Sequence, residues 1–219
     1  MTVFSMASAK GGCGKTSLAI LVGMEFALDG AKVALLDCDL NQHAAAFAEK
    51  ATLSGFEVLP DINEHSVLKA LRSAKDRCDI VIVDLPGGSS ALSLKAMQRS
   101  DFVVVPTQPS LPDARDAMKT IAQIEDAQEL ADHDIPRALA WTRFLSGFES
   151  TVARHVRESM EGEDVPILKT ALMERAAFRA IHLTGTVPRQ TDPKSPAARN
   201  VTQLTNELRQ LVSLEQVIA

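Results

Sequence analysis

The 219-residue chain has no apolar run near the roughly 18 residues needed to cross a bilayer. Its opening TVFSMAS reads as a strand with no basic stretch ahead of it, so neither a spanning helix nor a signal peptide is expected, and a cytoplasmic location is. Cysteine is scarce: Cys13, Cys38 and Cys78 are odd in number and never fall at C-x-x-C spacing, which argues against a disulfide framework or a structural zinc site. They read as small buried side chains, although a thiol at position 13, beside two lysines and a helix start, is placed for a lowered pKa. Internal repeats and low-complexity segments are absent. What remains is 46% apolar and 23% charged residues, the balance of a globular protein, at a length suited to one domain, residues 1–219. The net charge of −5 is uneven, −7 before Arg137 and +2 from there on, which permits a basic face on the C-terminal portion.

Short β-branched runs alternate with helical patterns along the whole chain. Strands are expected at 3–8, 32–37, 56–59, 80–84, 102–106, 137–142 and 167–170. TSLAILVGMEFALDG reads as a helix closed by Gly30, and LPDARDAMKTIAQIEDAQELADH as a long helix with Pro112 near its start. A last helix over about 197–217 aligns Val201, Leu204, Leu208, Leu211 and Leu214 for packing on the sheet. Such alternation implies an α/β fold, a mostly parallel twisted sheet flanked by helices on both faces. Its ligands are expected beyond the carboxyl ends of the strands.

Chemistry-bearing residues fall there. After the first strand comes KGGCGKTS and then a helix: glycines let backbone N–H groups curl around phosphate, Lys15 can reach the β- and γ-phosphates, and the Thr16 hydroxyl can sit on Mg²⁺. The run IVIVD delivers Asp84 to a strand end, where a carboxylate can hold Mg²⁺ through water. Asp37 and Asp39 lie two apart in LLDCDLNQ and would share a face if the strand persisted; Asp39 suits a water-positioning role or the N-cap of the next helix. The loop departs from the common phosphate-binding pattern in carrying a second lysine, Lys10, five residues before Lys15.

KGGCGKTS, DCDLNQ, IVIVDLPGG and VVVPTQPSLPD together resemble, in order and spacing, the ParA/MinD group of deviant Walker P-loop ATPases, most closely the small ParF-like members, over essentially the whole chain. The resemblance implies that Lys10 is a signature lysine reaching the nucleotide of a partner subunit in an ATP-bound homodimer. By the same resemblance Gly11, Gly12, Cys13, Gly14, Lys15, Thr16 and Ser17 form the nucleotide loop. Asp39 positions the attacking water and shares the metal site with Thr16 and Asp84. The segment Pro106, Thr107, Pro109 to Asp113 and the pair Thr142-Arg143 approach the base. Lys10, Lys15 and Asp39 would carry catalysis, with ATP and Mg²⁺ as cofactors. Leu40 stands where the family often has proline, leaving the roles of Asn41 and Gln42 open. With the first strand starting at once, the helix-turn-helix extension of larger partition ATPases is expected to be absent, and specific operator binding with it.

Members of this group act on nonspecific DNA or, through a basic amphipathic tail, on membranes. The tail NVTQLTNELRQLVSLEQVIA has one arginine, two glutamates and no lysine, so it reads as a packing helix, and DNA is the expected surface. The candidate phosphate contacts are Lys169, Arg175, Arg179, Arg189, Lys194 and Arg199, with Arg154 and Arg157 near them. His155 and His182 show no metal-ligand pattern. The expected function is a nucleoid-associated ATPase that dimerises on ATP, binds nonspecific DNA and hydrolyses ATP when stimulated by a ParB-like or cargo-adaptor protein. Alternatives are a dethiobiotin-synthetase-type ligase, a MinD-like membrane ATPase, a nucleotide-gated scaffold with little hydrolysis, and an iron-protein-like electron donor, which lacks a free symmetric pair of cysteines.

Overall fold

A computed structural model describes residues 1–145, 149–162 and 165–212. Six strands, β1 (Thr2–Ser8), β2 (Val33–Asp37), β3 (Phe56–Leu59), β4 (Ile80–Gly87), β5 (Phe102–Thr107) and β6 (Arg137–Trp141), form one all-parallel sheet in the order β3-β2-β4-β1-β5-β6. The two-residue period sorts side chains between two cores. Phe4, Met6, Leu35, Ile80, Ile82 and Val104 point to one face, where α1 (Lys15–Leu28), α2 (His43–Ala48), α7 (Ala176–Thr184) and α9 (Pro196–Leu211) cover them. Val3, Ala7, Leu36, Val81, Val83 and Val105 point to the other, under α3 (Val67–Lys75), α4 (Ala91–Met97), α5 (Leu111–Ala131) and α6 (Thr151–Glu161). A short α8 (Pro188–Thr191) leads into α9.

The central strand β1 runs between β4 and β5, and the chain leaves it for β2 on one side while β4 connects across it to β5 on the other. The loop after β1 therefore opens at the switch point of the sheet, where parallel α/β folds bind ligands. Helix α1, which starts from that loop, is buried from Leu18 to Ala27. Gly23 lets it sit on the sheet: a Cβ there would lie 2.8 Å from the Phe56 ring. The helix ends at Leu28, with Gly30 at φ +93° making the turn that its glycine predicts.

The expected seventh strand at 167–170 is not one. Among the described residues only single parallel bridges join Leu139 to Ile167 and Phe144 to Met173. Leu168 N–H still donates to the Leu139 carbonyl at 2.8 Å, but neighbouring donors turn to side chains of α9: Lys169 and Thr170 N–H donate to the Glu207 carboxylate at 2.6 and 2.9 Å, and Met173 N–H to Asn200 Oδ1 at 2.9 Å. Of the expected apolar stripe on α9, Val201, Leu204 and Leu208 are buried and Leu211 is half exposed, while Leu214 lies outside the described residues.

Candidate functional site

The loop from β1 to α1 needs its glycines. Gly12 and Gly14 have φ of +79° and +97°, in the left-handed region that side chains disfavour. Gly87, at the end of β4, presses against the same loop, and a Cβ on it would fall 2.9 Å from the Gly11 nitrogen. Three more contacts hold the curve: Thr142 Oγ1 donates to the Cys13 carbonyl at 2.7 Å, Gln108 Nε2 to the Gly12 carbonyl at 3.2 Å, and Ala9 N–H to Thr120 Oγ1 at 2.8 Å. Lys15 is 5% exposed and folds back so that its ammonium donates to the Lys10 carbonyl at 3.0 Å. Cys13 is buried within the loop.

The two aspartate strands meet at the loop's base. Asp37 and Asp84 are register partners on β2 and β4, both fully buried. They differ in their partners. Asp37 accepts backbone N–H groups of Asp39 at 3.2 Å and of Ala44 and Ala45 at 3.0 Å, so it anchors the loop that follows β2 and the first turn of α2. Among the described residues neither oxygen of Asp84 has a hydrogen-bond partner. Burial pushes its carboxyl up to about 7, with the neighbouring Thr16 hydroxyl and Lys15 ammonium pulling the other way and Asp37 adding to the rise. A buried carboxylate with unmet acceptors beside a threonine hydroxyl is the donor set of a hard divalent cation, so Thr16 and Asp84 fit Mg²⁺.

Asp39 hangs from the rim. Its Oδ1 accepts Asn41 N–H and Nδ2 at 2.9 and 2.8 Å, and Gln42 Nε2 donates to its carbonyl at 2.6 Å while Gln42 Oε1 takes Asp61 N–H at 2.9 Å. Asn41 and Gln42 thus shape the loop that carries Asp39. Leu40 projects outward, 97% exposed.

Gly11, Gly12, Gly14, Lys15, Thr16, Ser17, Asp39 and Arg143 line one cleft of about 530 Å³. The same lining adds Asn41, whose role the sequence left open, and His43, Ala46, Phe47 and His182, which sequence reasoning did not assign to the site. Pro106, Pro109 and Asp113 lie apart from this lining, along the end of β5 and the start of α5. Lys10 points away from the cleft: its ammonium meets Asp113 Oδ1 at 3.0 Å, and the Ser110 hydroxyl donates to the other Asp113 oxygen. The hydrogen bond and charge of Asp113 raise the Lys10 pKa above its ordinary value. The two lysines of the loop therefore have separate surroundings, one in the cleft and one half-exposed on the outer rim.

The basic candidates divide. Lys169, Arg175 and Arg199 line a second hollow, of about 440 Å³, where residues 169–175 cross the start of α9. Among the described residues its lining holds no carboxylate, and Arg175 Nε is buried without a hydrogen-bond partner. Arg189 is engaged by Glu25 at 3.1 Å and by Asp29, and Arg179 by Glu174. Arg154 and Arg157 pair with Glu149, and Lys194 is exposed.

Comparison with known proteins agrees with this geometry. A family model described as VirC1 protein matches residues 1–219. Protein ParA of Rhizobium radiobacter is 30% identical over 186 residues, covering 84% of each chain. Maintenance of carboxysome distribution protein A of Halothiobacillus neapolitanus is 27% identical, covering 93% of this chain and 94% of its own. Among solved structures, the ATP complex of a Cyanothece McdA variant superposes with a TM-score of 0.81 at 15% identity, covering 100% of this chain and 99% of that one, a likeness of fold. A phosphate loop at the switch point of an all-parallel sheet, with a whole-chain family match, places the chain in the VirC1 protein family, among the ParA/MinD-like P-loop ATPases.

Proposed function

We propose that the chain is an ATP-dependent partitioning or positioning ATPase. It binds ATP in the cleft of Lys15, Thr16 and Ser17, pairs with a second copy when the triphosphate is bound, and releases that copy after hydrolysis stimulated by a partner protein. The observation that carries this reading is the separation of the two loop lysines: Lys15 is folded into the cleft, and Lys10 stands outside it on a half-exposed rim. An ammonium group outside its own site can neutralise charge in a facing copy, which makes pairing depend on the γ-phosphate. Thr16 and Asp84, with Asp39 from the rim, would hold Mg²⁺, which supplies charge neutralisation on the phosphate oxygens when bound. Asp39 is also placed to orient a water at the open side of the cleft, since transfer to water depends on positioning more than on covalent chemistry.

Nonspecific DNA is the surface on which the paired form acts. The hollow of Lys169, Arg175 and Arg199 supports this: among the described residues none of the three is in an ion pair, and pairing of two copies doubles the cations offered to the phosphodiester backbone. Charge reversal at all three positions tests it. With ATP, the wild type is retained on random-sequence DNA at low salt and the triple variant is released, while both sediment as pairs. Equal retention of both would remove this surface from the account.

A further inference from the structure

Two histidines outside every motif line the nucleotide cleft. His182, near the end of α7, shares a 3.2 Å hydrogen bond through Nε2 with Ser17 Oγ, on the first turn of α1. Its carbonyl accepts Lys50 Nζ at 2.8 Å. His43, the first residue of α2, meets its ring edge-on with centroids 6.4 Å apart. Gly185, at φ +69°, ends α7 against the residues that close α2, so closely that a Cβ would lie 2.5 Å from the Lys50 carbonyl carbon. Helix α7 therefore ties the helix that carries the phosphate loop to the helix that follows Asp39.

We propose that His182 is a phosphate-contacting residue of this cleft, held beside Ser17 by α7 and tuned by His43 on α2. The inference rests on the nucleotide reading of the cleft. Burial, followed by the charges of His43 and Lys50, holds the His182 imidazole below the usual histidine range, so it is neutral in the nucleotide-free protein near pH 7. The groups around it are His43 from α2, Lys50 just beyond that helix, Lys15 from α1, Arg143 from the loop after β6 and Asp39 from the loop after β2. Asp39 is the one negative charge in that set. A polyphosphate bound next to Ser17 reverses this balance: the imidazole takes up a proton as the nucleotide enters and donates a charge-assisted hydrogen bond to a phosphate oxygen. A proton gained on binding makes affinity rise as pH falls through the window between the free and the bound pKa of His182.

The test is the Kd of Mg-ADP at pH 6 and pH 8 for wild type, His182→Gln and His43→Gln, by calorimetry in two buffers of different ionisation enthalpy. The diphosphate is used so that the result does not depend on pairing of two copies. His182→Gln weakens binding about tenfold at pH 6 and less than about threefold at pH 8, the loss of one charge-assisted contact, and removes proton uptake. His43→Gln takes a repelling neighbour away and moves the pH dependence to higher pH. Thermal melting of each variant confirms that the fold is kept. An equal loss at both pH values, no loss at either, or no proton uptake by the wild type overturns the inference while nucleotide binding itself stands. Wild-type protein that binds no nucleotide at either pH overturns both.

Discussion

At the scale of single residues, two aspartates have opposite surroundings. Asp113 is a satisfied carboxylate, taking Lys10 on one oxygen and Ser110 on the other. In the proposed cycle Lys10 must leave it to reach a facing copy, so Asp113→Asn removes a competitor. The variant is expected to pair at an ATP concentration about two- to fivefold lower than wild type, the small effect proper to a half-exposed ion pair, measured by titrating ATP in sedimentation runs. Asp84 is unsatisfied, and burial raises its carboxyl to about 7. Between the unfolded value near 4 and about 7, the native state keeps a proton that the unfolded chain has lost, so stability of the nucleotide-free protein falls as pH rises through that window. Asp84→Asn stays neutral throughout and removes the fall. Unfolding free energies from urea curves at pH 5 and pH 8 should therefore diverge between wild type and variant by an amount on the order of 2–4 kcal/mol, in favour of the variant at pH 8. Parallel curves would mean that Asp84 is ionised and stable where it stands.

At the scale of elements, the site is built where strand ends press on one loop. A Cβ added at Gly87, at the end of β4, would fall 2.9 Å from the Gly11 nitrogen, so Gly87→Ala pushes the loop backbone outward. We expect a loss of about 1–3 kcal/mol of stability and weaker nucleotide binding, read by melting curves and by titration with a fluorescent nucleotide. Elements of this kind were legible in the sequence wherever the cause is local. Glycine spacing, the Lys-Thr pair and buried strands ending in aspartate put the phosphate loop, Asp37 and Asp84 in place, and the helix ending at Gly30 follows from one residue's backbone freedom. Features caused by distant contacts were not legible. Residues 167–170 look like a strand by composition, but the N–H groups of Lys169 and Thr170 go to Glu207, 38 and 37 residues further on. His182 meets Ser17 across 165 residues, and nothing in its neighbourhood in sequence marks it. Asp37 and Asp84 both close buried strands, and what separates them is the three N–H groups aimed at Asp37 from the loop and helix that follow it.

At the scale of the whole molecule, the fold places nucleotide chemistry at the carboxyl ends of the strands and a carboxylate-free basic hollow at the start of α9. Coupling between them follows if both are used only by a paired molecule, since one copy offers few cations to DNA and one lysine to its neighbour's phosphates. The measurement closest to this claim is sedimentation velocity of wild type and Lys10→Gln with ATP and with ADP. The account predicts that wild type sediments as a pair with ATP and singly with ADP, and that Lys10→Gln, which keeps Lys15 and the cleft intact, binds ATP yet stays single. A Lys10→Gln protein that pairs on ATP as readily as wild type would contradict it.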